Sequence, residues 1–488
     1  MEADAGPEPG NPENNVENPV LPGAPAASAA QLDSGAAPPA APGRLAELLK
    51  LANEHEQAGR LDDAERALNE ILAEMPEQPA ALHMFGIVAY RRGRREEAAR
   101  LMERSIARVP ANALFRRNIC EVYRMLGRYD EAVAAGKKAV ALDPKDRHAH
   151  HNLGVVHYHR REPAKAVASI ERALALAPDF ADAHLGLAEA LLMQGDFARG
   201  WEEYEWRFKI GGAPPLMPPS DRPQWDGTPL ADGTLMLIAD QGYGDVIQFA
   251  RYLPWAAERC PDIVVACSRE VRAVVEQQPG IRMVFDRWDQ RPDFAAFCPL
   301  SGLARLAGTR FGAIPAEIPY LRPDPRTAAR WSARLAALVP QGYRRIGVCW
   351  AGRPNPNPHR STELALLTPL ADLPRTALVS LQKGPAQNQI GSYWGRAPLV
   401  NLGPEIRDFA DSMAIIESLD LVVTIDTALA HLAGAMGKPV WVMLIFGADW
   451  RWFLDRSDSP WYPTARLFRQ SAPGRWAPLV AAIAAELS

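Results

Sequence analysis

Prolines recur every 34 residues in the N-terminal part of the chain, at Pro76, Pro110, Pro144 and Pro178. Glycines share this period at Gly59, Gly93, Gly127 and Gly195, with one absence at Arg161. Small residues keep it as well, at Ala64, Ala98, Ala132 and Ala166. Glycine suits a tight turn, alanine lets two backbones approach closely, and proline ends a helix. The fixed period therefore predicts an array of helical hairpins.

The combination of period, turn glycine, close-contact alanine and terminal proline resembles the tetratricopeptide repeat. We predict a solenoid over residues 45–210, with repeats at 45–78, 79–112, 113–146, 147–180 and 181–210. Such arrays bind partners along their concave face, so we expect the chemistry to lie elsewhere in the chain.

Length and composition limit what the rest of the chain can be. A chain of 488 residues is longer than five hairpins require, and its formal net charge of −4 argues against a generic nucleic-acid-binding protein. The five cysteines form no CxxC pair, which fits a reducing cytoplasm. Residues 1–43 are acidic, rich in Pro and Ala, and contain no Lys or Arg, which predicts a disordered tail without a secretory signal. Because no apolar run reaches the roughly 18 residues of a transmembrane helix, we expect a soluble protein.

A change of pattern follows the repeats. Glycines and prolines over 211–230 predict a linker. Beyond it, apolar β-rich runs alternate with helical segments, at 234–239, 262–267, 345–350, 377–382, 421–425 and 440–444. Such runs predict parallel sheets buried on both faces. We therefore expect two α/β domains, 231–325 and 326–488, that face each other across a cleft, with ligands bound at the carboxyl ends of the strands.

The loop after the first predicted strand contains Gly242, Gly244 and Asp245. Its glycines would let the backbone approach a substrate. A dinucleotide fingerprint is incomplete, because Ile247 stands in place of the third glycine. Two interpretations of Asp245 stay open: a helix N-cap or a catalytic carboxylate.

A second candidate site follows the strand 421–425. Asp426, Thr427 and Ala428 precede a predicted helix, whose free N–H groups suit a diphosphate. His431, one turn into that helix, is either a packing residue or a ligand contact. Arg360 and Lys383 follow two other strands and are candidates to stabilise a leaving phosphate, although either could be an ordinary surface charge.

Several segments together resemble bacterial tetratricopeptide-repeat glycosyltransferases with a family-nine, heptosyltransferase-type catalytic part. They are GYGDVIQFARYLP, VCWAG, HRS, SLQKG, DFADSMAIIESLDLVVTIDTALAHLAGAMGKPVWVML and DWRWFLDRSDSPWYPTARLFRQ. The resemblance implies a GT-B architecture, a nucleotide-diphosphate sugar as donor, and no bound metal or other cofactor.

The resemblance also implies roles for individual residues. Asp245 would be the base, and Lys383, supported by Arg360, would assist the leaving diphosphate. The turn of Asp426, Thr427 and Ala428 would hold diphosphate and sugar. The implied reaction is a single displacement with inversion at the sugar. The sequence departs from the family in residues 353–358, where three prolines would reshape a loop near the donor.

The repeats would then recruit a protein or cell-surface glycan acceptor. Asn118 and Asn152, one period apart, resemble two rungs of the asparagine ladder of O-GlcNAc transferase, although the ordinary repeat consensus is the better explanation of two residues alone. Two other functions stay open. One is a non-catalytic scaffold with a degenerate transferase fold, and the other is a nucleotide-sugar epimerase of GT-B type.

Overall fold

The computed structural model describes residues 42–212, 215–354 and 357–488. The predicted disorder of residues 1–43 therefore falls almost entirely outside the described residues, as do positions 355 and 356 of the proline-rich loop. The described chain divides into two compact units, residues 42–190 and 191–488. Within these ranges, no helix combines the length and the apolar character that a membrane span requires.

Helical hairpins form the N-terminal part of the chain. The helices are α1 (Pro42–Gln57), α2 (Leu61–Glu74), α3 (Pro79–Arg91), α4 (Arg95–Arg108), α5 (Ala113–Met125), α6 (Tyr129–Leu142), α7 (Arg147–His159), α8 (Pro163–Leu176), α9 (Ala181–Gln194) and α10 (Phe197–Tyr204). The predicted helical repeats are confirmed.

The period-34 residues do what their chemistry predicts. The four alanines are fully buried where paired helices touch, and the turn glycines have positive φ, for example 77° at Gly93. Arg161, which replaces the fourth glycine, adopts the same left-handed conformation at φ 64°. The turn is therefore kept despite a side chain that disfavours it.

Residues 191–488 carry two parallel sheets. The first has the order β3-β2-β1-β4 and the second has the order β10-β9-β8-β5-β6-β7. The strands are β1 (Leu235–Ile238), β2 (Ile263–Ala266), β3 (Ile281–Phe285), β4 (Ala296–Pro299), β5 (Arg344–Cys349), β6 (Thr376–Ser380), β7 (Leu399–Asn401), β8 (Leu421–Ile425), β9 (Val440–Leu444) and β10 (Ala465–Arg469). Parallel pairing holds throughout, as the continuous apolar runs predict.

Helices connect these strands. They are α11 (Tyr243–Phe249), α12 (Leu253–Ala257), α13 (Arg272–Val275), α14 (Leu303–Leu306), α15 (Pro325–Leu338), α16 (Thr368–Ala371), α17 (Phe409–Glu417), α18 (Ala428–Ala435) and α19 (Trp476–Leu487). The predicted fold class, a helical repeat array followed by parallel-sheet α/β structure, is confirmed. We call residues 231–325 the N-terminal α/β half and residues 326–488 the C-terminal α/β half.

The strand order of each sheet reverses at one point. In the first sheet the reversal lies between β1 and β4, and in the second it lies between β5 and β8. Loops on either side of such a reversal diverge and leave a crevice at the carboxyl ends of the strands. The loops after β1 and β8 are those in which the sequence places Asp245 and Asp426.

Candidate active site

The end of β1 is fixed by a polar cluster. The carboxylate of Asp240 accepts a bond from the Ser301 backbone N–H at 3.0 Å, after β4. It also pairs with Arg207 at 3.3 Å, and both side chains are almost fully buried. Tyr204 donates from its hydroxyl to Gln241 Oε1 at 2.9 Å. The segment after α9 therefore helps to shape the loop that leads to Asp245.

Asp245 lies in the first turn of α11. Gly242, and not Asp245, occupies the N-cap position of this helix, and a backbone hydrogen bond from Gly242 reaches the Asp245 carboxylate. The catalytic role of Asp245 stays a prediction. Its Oδ1 accepts a hydrogen bond from Arg451 Nη2 at 2.5 Å. Burial raises the pKa of Asp245; Arg451 opposes this rise, whereas Asp449 adds to it.

Arg451 also belongs to this site, although the sequence alone gives it no role. It lies in the turn Trp450–Trp452 after β9. Its Nε donates to Gln248 Oε1 at 2.7 Å and its Nη1 to Asp449 Oδ1 at 3.0 Å. The pattern Asp-Trp-Arg-Trp at 449–452 is the sequence signal that could have identified it. An arginine between two tryptophans is expected to be buried, and a buried cation needs a polar or charged partner.

The turn after β8 contains the second group of predicted residues. Thr427 is the N-cap residue of α18, but its side chain makes no capping bond, and its Oγ1 lies 3.1 Å from Thr424 Oγ1. Asp426 precedes it. Burial and the neighbouring Asp449 raise the pKa of Asp426 to about 6, against the opposing charges of Arg360 and Arg451. Asp449 and Arg451 thus act on both aspartates, one from each α/β half.

The two predicted cations differ in position. Arg360 borders the Thr427 turn, because a Cβ built on Gly352 would lie 3.5 Å from both Arg360 Nε and Thr427 Cγ2. Lys383 follows β6 and donates from Nζ to the carbonyl of Ile406. Of the two predicted cations, Arg360 is the one whose charge acts on Asp426, and the catalytic role of Lys383 stays a prediction.

His431 is a packing residue in this structure. It is buried, its Nδ1 lies 2.9 Å from the Tyr462 hydroxyl, and burial together with Arg451 lowers its pKa to about 3. A Cβ on Gly244 would approach His431 Cδ2 to 2.9 Å. The absence of a side chain at Gly244 therefore permits the close contact between the two α/β halves, and its predicted contact with a substrate stays a prediction. These contacts favour the packing interpretation of His431, and its ligand contact stays a prediction.

The predicted asparagine ladder is also corrected. Asn118 is 1% exposed, and its amide nitrogen lies 3.0 Å from His83 Nε2. Asn152 is likewise buried, and its amide donates to the Arg117 carbonyl at 3.4 Å. Both carboxamides bridge neighbouring helices and are not presented to a peptide.

Comparisons with known proteins agree with this division of the chain. Residues 83–147 and 151–205 match the tetratricopeptide repeat. Residues 394–450 match glycosyltransferase family 9 (heptosyltransferase). That segment contains Asp426, Thr427, Ala428 and Asp449, and it ends one residue before Arg451. Both resemblances predicted from the sequence are confirmed.

One relative extends across much of the chain. Protein FlbA of Caulobacter vibrioides is 29% identical over 330 residues, which cover 62% of this chain and 54% of FlbA. The chain thus spans about half the length of this curated relative.

Similar solved structures cover about a third of the chain. MamA matches at 19% identity, covering 33% of this chain and 93% of its own, with a TM-score of 0.30. TTC0263, a thermophilic tetratricopeptide-repeat protein of Thermus thermophilus, matches at 25% identity, covering 34% of this chain and 91% of its own, with a TM-score of 0.31.

Proposed function

We propose that this protein is an inverting, metal-independent glycosyltransferase that uses a nucleotide-diphosphate sugar. The observation that carries the proposal is that Asp245 and Asp426 both interact with one charged pair, Asp449 and Arg451, of which Arg451 is buried. Asp245 supplies a base on one α/β half, and α18 supplies a helix N-terminus on the other. Both lie at loops where the strand order reverses, and together they suit the transfer of a sugar from a donor to an acceptor. The family-9 segment covers the donor-side turn.

In the proposed reaction, Asp245 takes a proton from the acceptor, and other residues stabilise the charge of the leaving diphosphate. An acceptor hydroxyl gives its proton to Asp245 as its oxygen bonds to the anomeric carbon. The bond from that carbon to the diphosphate breaks, and its electron pair leaves with the diphosphate. Arg360 and the N-terminus of α18 stabilise the resulting charge, a task in which loss of one donor costs about 10²–10³ in rate.

The acceptor and the location are further parts of the proposal. The repeats would recruit a protein or cell-surface glycan, because helical repeat arrays offer an extended surface for partners. All five cysteines are free and buried, which agrees with a reducing cytoplasm, where nucleotide sugars are the donors. The donor is consumed as substrate, so no cofactor enters the scheme.

Nucleotide binding tests the proposal. All 13 tryptophans lie between Trp201 and Trp476, so tryptophan fluorescence reports only the unfolding of residues 191–488. We would screen ADP, UDP, GDP, CMP and their sugars by thermal shift. A ligand at 100 times its Kd stabilises the folded state by about 2.7 kcal/mol, a shift in Tm of roughly 4 °C for a unit of this size.

Matched arginine variants make the screen specific. Arg360→Gln removes the cation beside the Thr427 turn and should weaken binding of the selected diphosphate. Arg396→Gln, whose side chain is 90% exposed, is the control and should bind as wild type does. Equal binding by both variants would contradict the proposed diphosphate site.

A non-catalytic scaffold is the second candidate function. One observation favours it: the candidate base is already engaged by Arg451 and the predicted Lys383 ammonium by a backbone carbonyl. A scaffold predicts no shift with any nucleotide. An epimerase, in contrast, would release free sugar from the donor without any acceptor.

A further inference from the structure

The two carboxylate oxygens of Asp245 have different surroundings. Oδ1 accepts the bond from Arg451. Oδ2 lies beside Gly242, where a Cβ would come within 3.3 Å of it. A backbone hydrogen bond from Gly242 also reaches the carboxylate, and the Asp245 side chain remains 24% exposed. The carboxylate is therefore held by Arg451 at one oxygen and bordered by the start of α11, and part of it still reaches solvent.

Arg451 is itself held in one orientation. Its guanidinium donates to Gln248 and Asp449 and lies 4.2 Å above the Trp450 ring. Its side chain is 9% exposed. A planar guanidinium can bond three partners in fixed directions, whereas the ammonium of a lysine is a single point charge on a flexible stem. The arrangement thus depends on arginine and not merely on a positive charge.

We propose that Arg451 is a positioning residue, which holds Asp245 by Oδ1 and so fixes the direction in which this carboxylate faces the acceptor hydroxyl. This inference rests on the proposed function. Gln248 and Asp245 belong to the N-terminal α/β half, and Asp449 and Arg451 belong to the C-terminal half. Asp245 is therefore oriented only while the two halves remain in contact. Its orientation thus depends on the C-terminal half, which also holds the Asp426 turn.

The titration of Asp245 is the direct measure of this contact. The charged and titratable groups that face it are Arg451, Asp449, Asp240, Tyr204 and His431. Arg451 is the cation that contacts it. An opposite charge at this distance lowers the pKa of a carboxyl by about 1–3 units, so its removal should raise the pKa by a similar amount.

The experiment follows the Asp245 carboxyl by ¹³C NMR of the full chain with labelled aspartate, assigned with Asp245→Asn. Arg451→Gln should move the midpoint upward by about 1–3 pH units. Arg451→Lys, which keeps the positive charge but lacks the planar guanidinium, should give a smaller upward shift of the midpoint. Arg466→Gln, a half-exposed arginine paired with Glu486, is the control and should leave the midpoint unchanged.

The outcomes separate this inference from the proposed function. An unchanged midpoint in folded Arg451→Gln would overturn the contact, and a wild-type midpoint in Arg451→Lys would overturn the need for the guanidinium. If Arg451→Gln does not fold, the lysine variant carries the test. The titration requires no donor, so a failure to bind any nucleotide would refute the transferase and leave this measurement readable.

Discussion

Replacing Asp426 with asparagine should stabilise the protein at neutral pH. Burial beside Asp449 raises the pKa of Asp426 from 3.8 to about 6. The folded state therefore holds a charge that it disfavours whenever the pH is above 6. At about 1.4 kcal/mol per pKa unit, the destabilisation is about 3 kcal/mol at pH 8. This is an upper figure, because the side chain is partly exposed to solvent.

The pH dependence has a definite sign. A carboxyl with a raised folded pKa costs stability above that pKa, and the cost disappears as the pH falls toward the unfolded value. The advantage of Asp426→Asn should thus fall from about 3 kcal/mol at pH 8 to roughly 0.6 kcal/mol at pH 4. With an unfolding entropy of roughly 0.6 kcal/mol/K for about 300 residues, the shift in Tm at pH 8 is about 5 °C.

Thermal unfolding followed by tryptophan fluorescence measures this shift in residues 191–488 alone. Asp420→Asn is the matched control, because Asp420 directly precedes the same strand at its opposite end and accepts from the Arg345 N–H at 2.7 Å. An amide oxygen can accept that bond, so a change within about 0.5 kcal/mol is expected. An Asp426→Asn variant that is destabilised, or whose advantage does not depend on pH, would refute the electrostatic argument.

Three further substitutions test the packing and charge of the two units. Gly154→Ala should destabilise the repeats by about 1–3 kcal/mol, since its Cβ would meet Ile170 Cγ1 at 2.4 Å; an unchanged melting curve by circular dichroism would contradict this. Arg207→Ala should cost about 3–5 kcal/mol by leaving the buried Asp240 carboxylate without its cation, and a fluorescence Tm equal to that of wild type would exclude the proposed support of the β1 loop. Burial alone would raise the pKa of Asp411, but hydrogen bonds from an arginine and a tryptophan outweigh it and hold the pKa below 3.8. The ionised Asp411 carboxylate therefore stabilises the folded state above pH 4, and this stabilisation is lost as the pH falls further. Asp411→Asn should destabilise the protein at pH 7 and have little effect near pH 2. A loss of stability of equal size at both pH values would refute the charge argument.

Local patterns were sufficient for the repeats and for most buried strands. Each hairpin repeats the same contacts, so one period of sequence predicts the next. Strands β1, β2, β5, β6, β8 and β9 coincide with apolar runs predicted from the sequence. The strands β3, β4, β7 and β10 were not predicted, because they are short or carry partly exposed residues that break the apolar pattern.

The candidate site was only partly predictable. The positions of Asp245 and Asp426 at strand ends follow from the alternation of strands and helices. Arg451 could not be placed, because its partner Asp245 lies 206 residues away in sequence. Gly244, His431 and the two asparagines were assigned to ligands, whereas each is used to join neighbouring elements. A polar residue looks the same in a sequence whether it faces a ligand or a buried partner.

The sequence by itself thus determined a helical repeat array, a following pair of parallel-sheet α/β halves, and the loops that carry Asp245 and Asp426 after their strands. Periodicity and apolar runs are properties of neighbouring residues, and they are enough to fix local structure. Only the tertiary structure decided which polar side chains are paired, which arginine holds the candidate base, and how burial shifts each pKa. Those properties depend on residues brought together from distant parts of the chain, and on the loss of water between them.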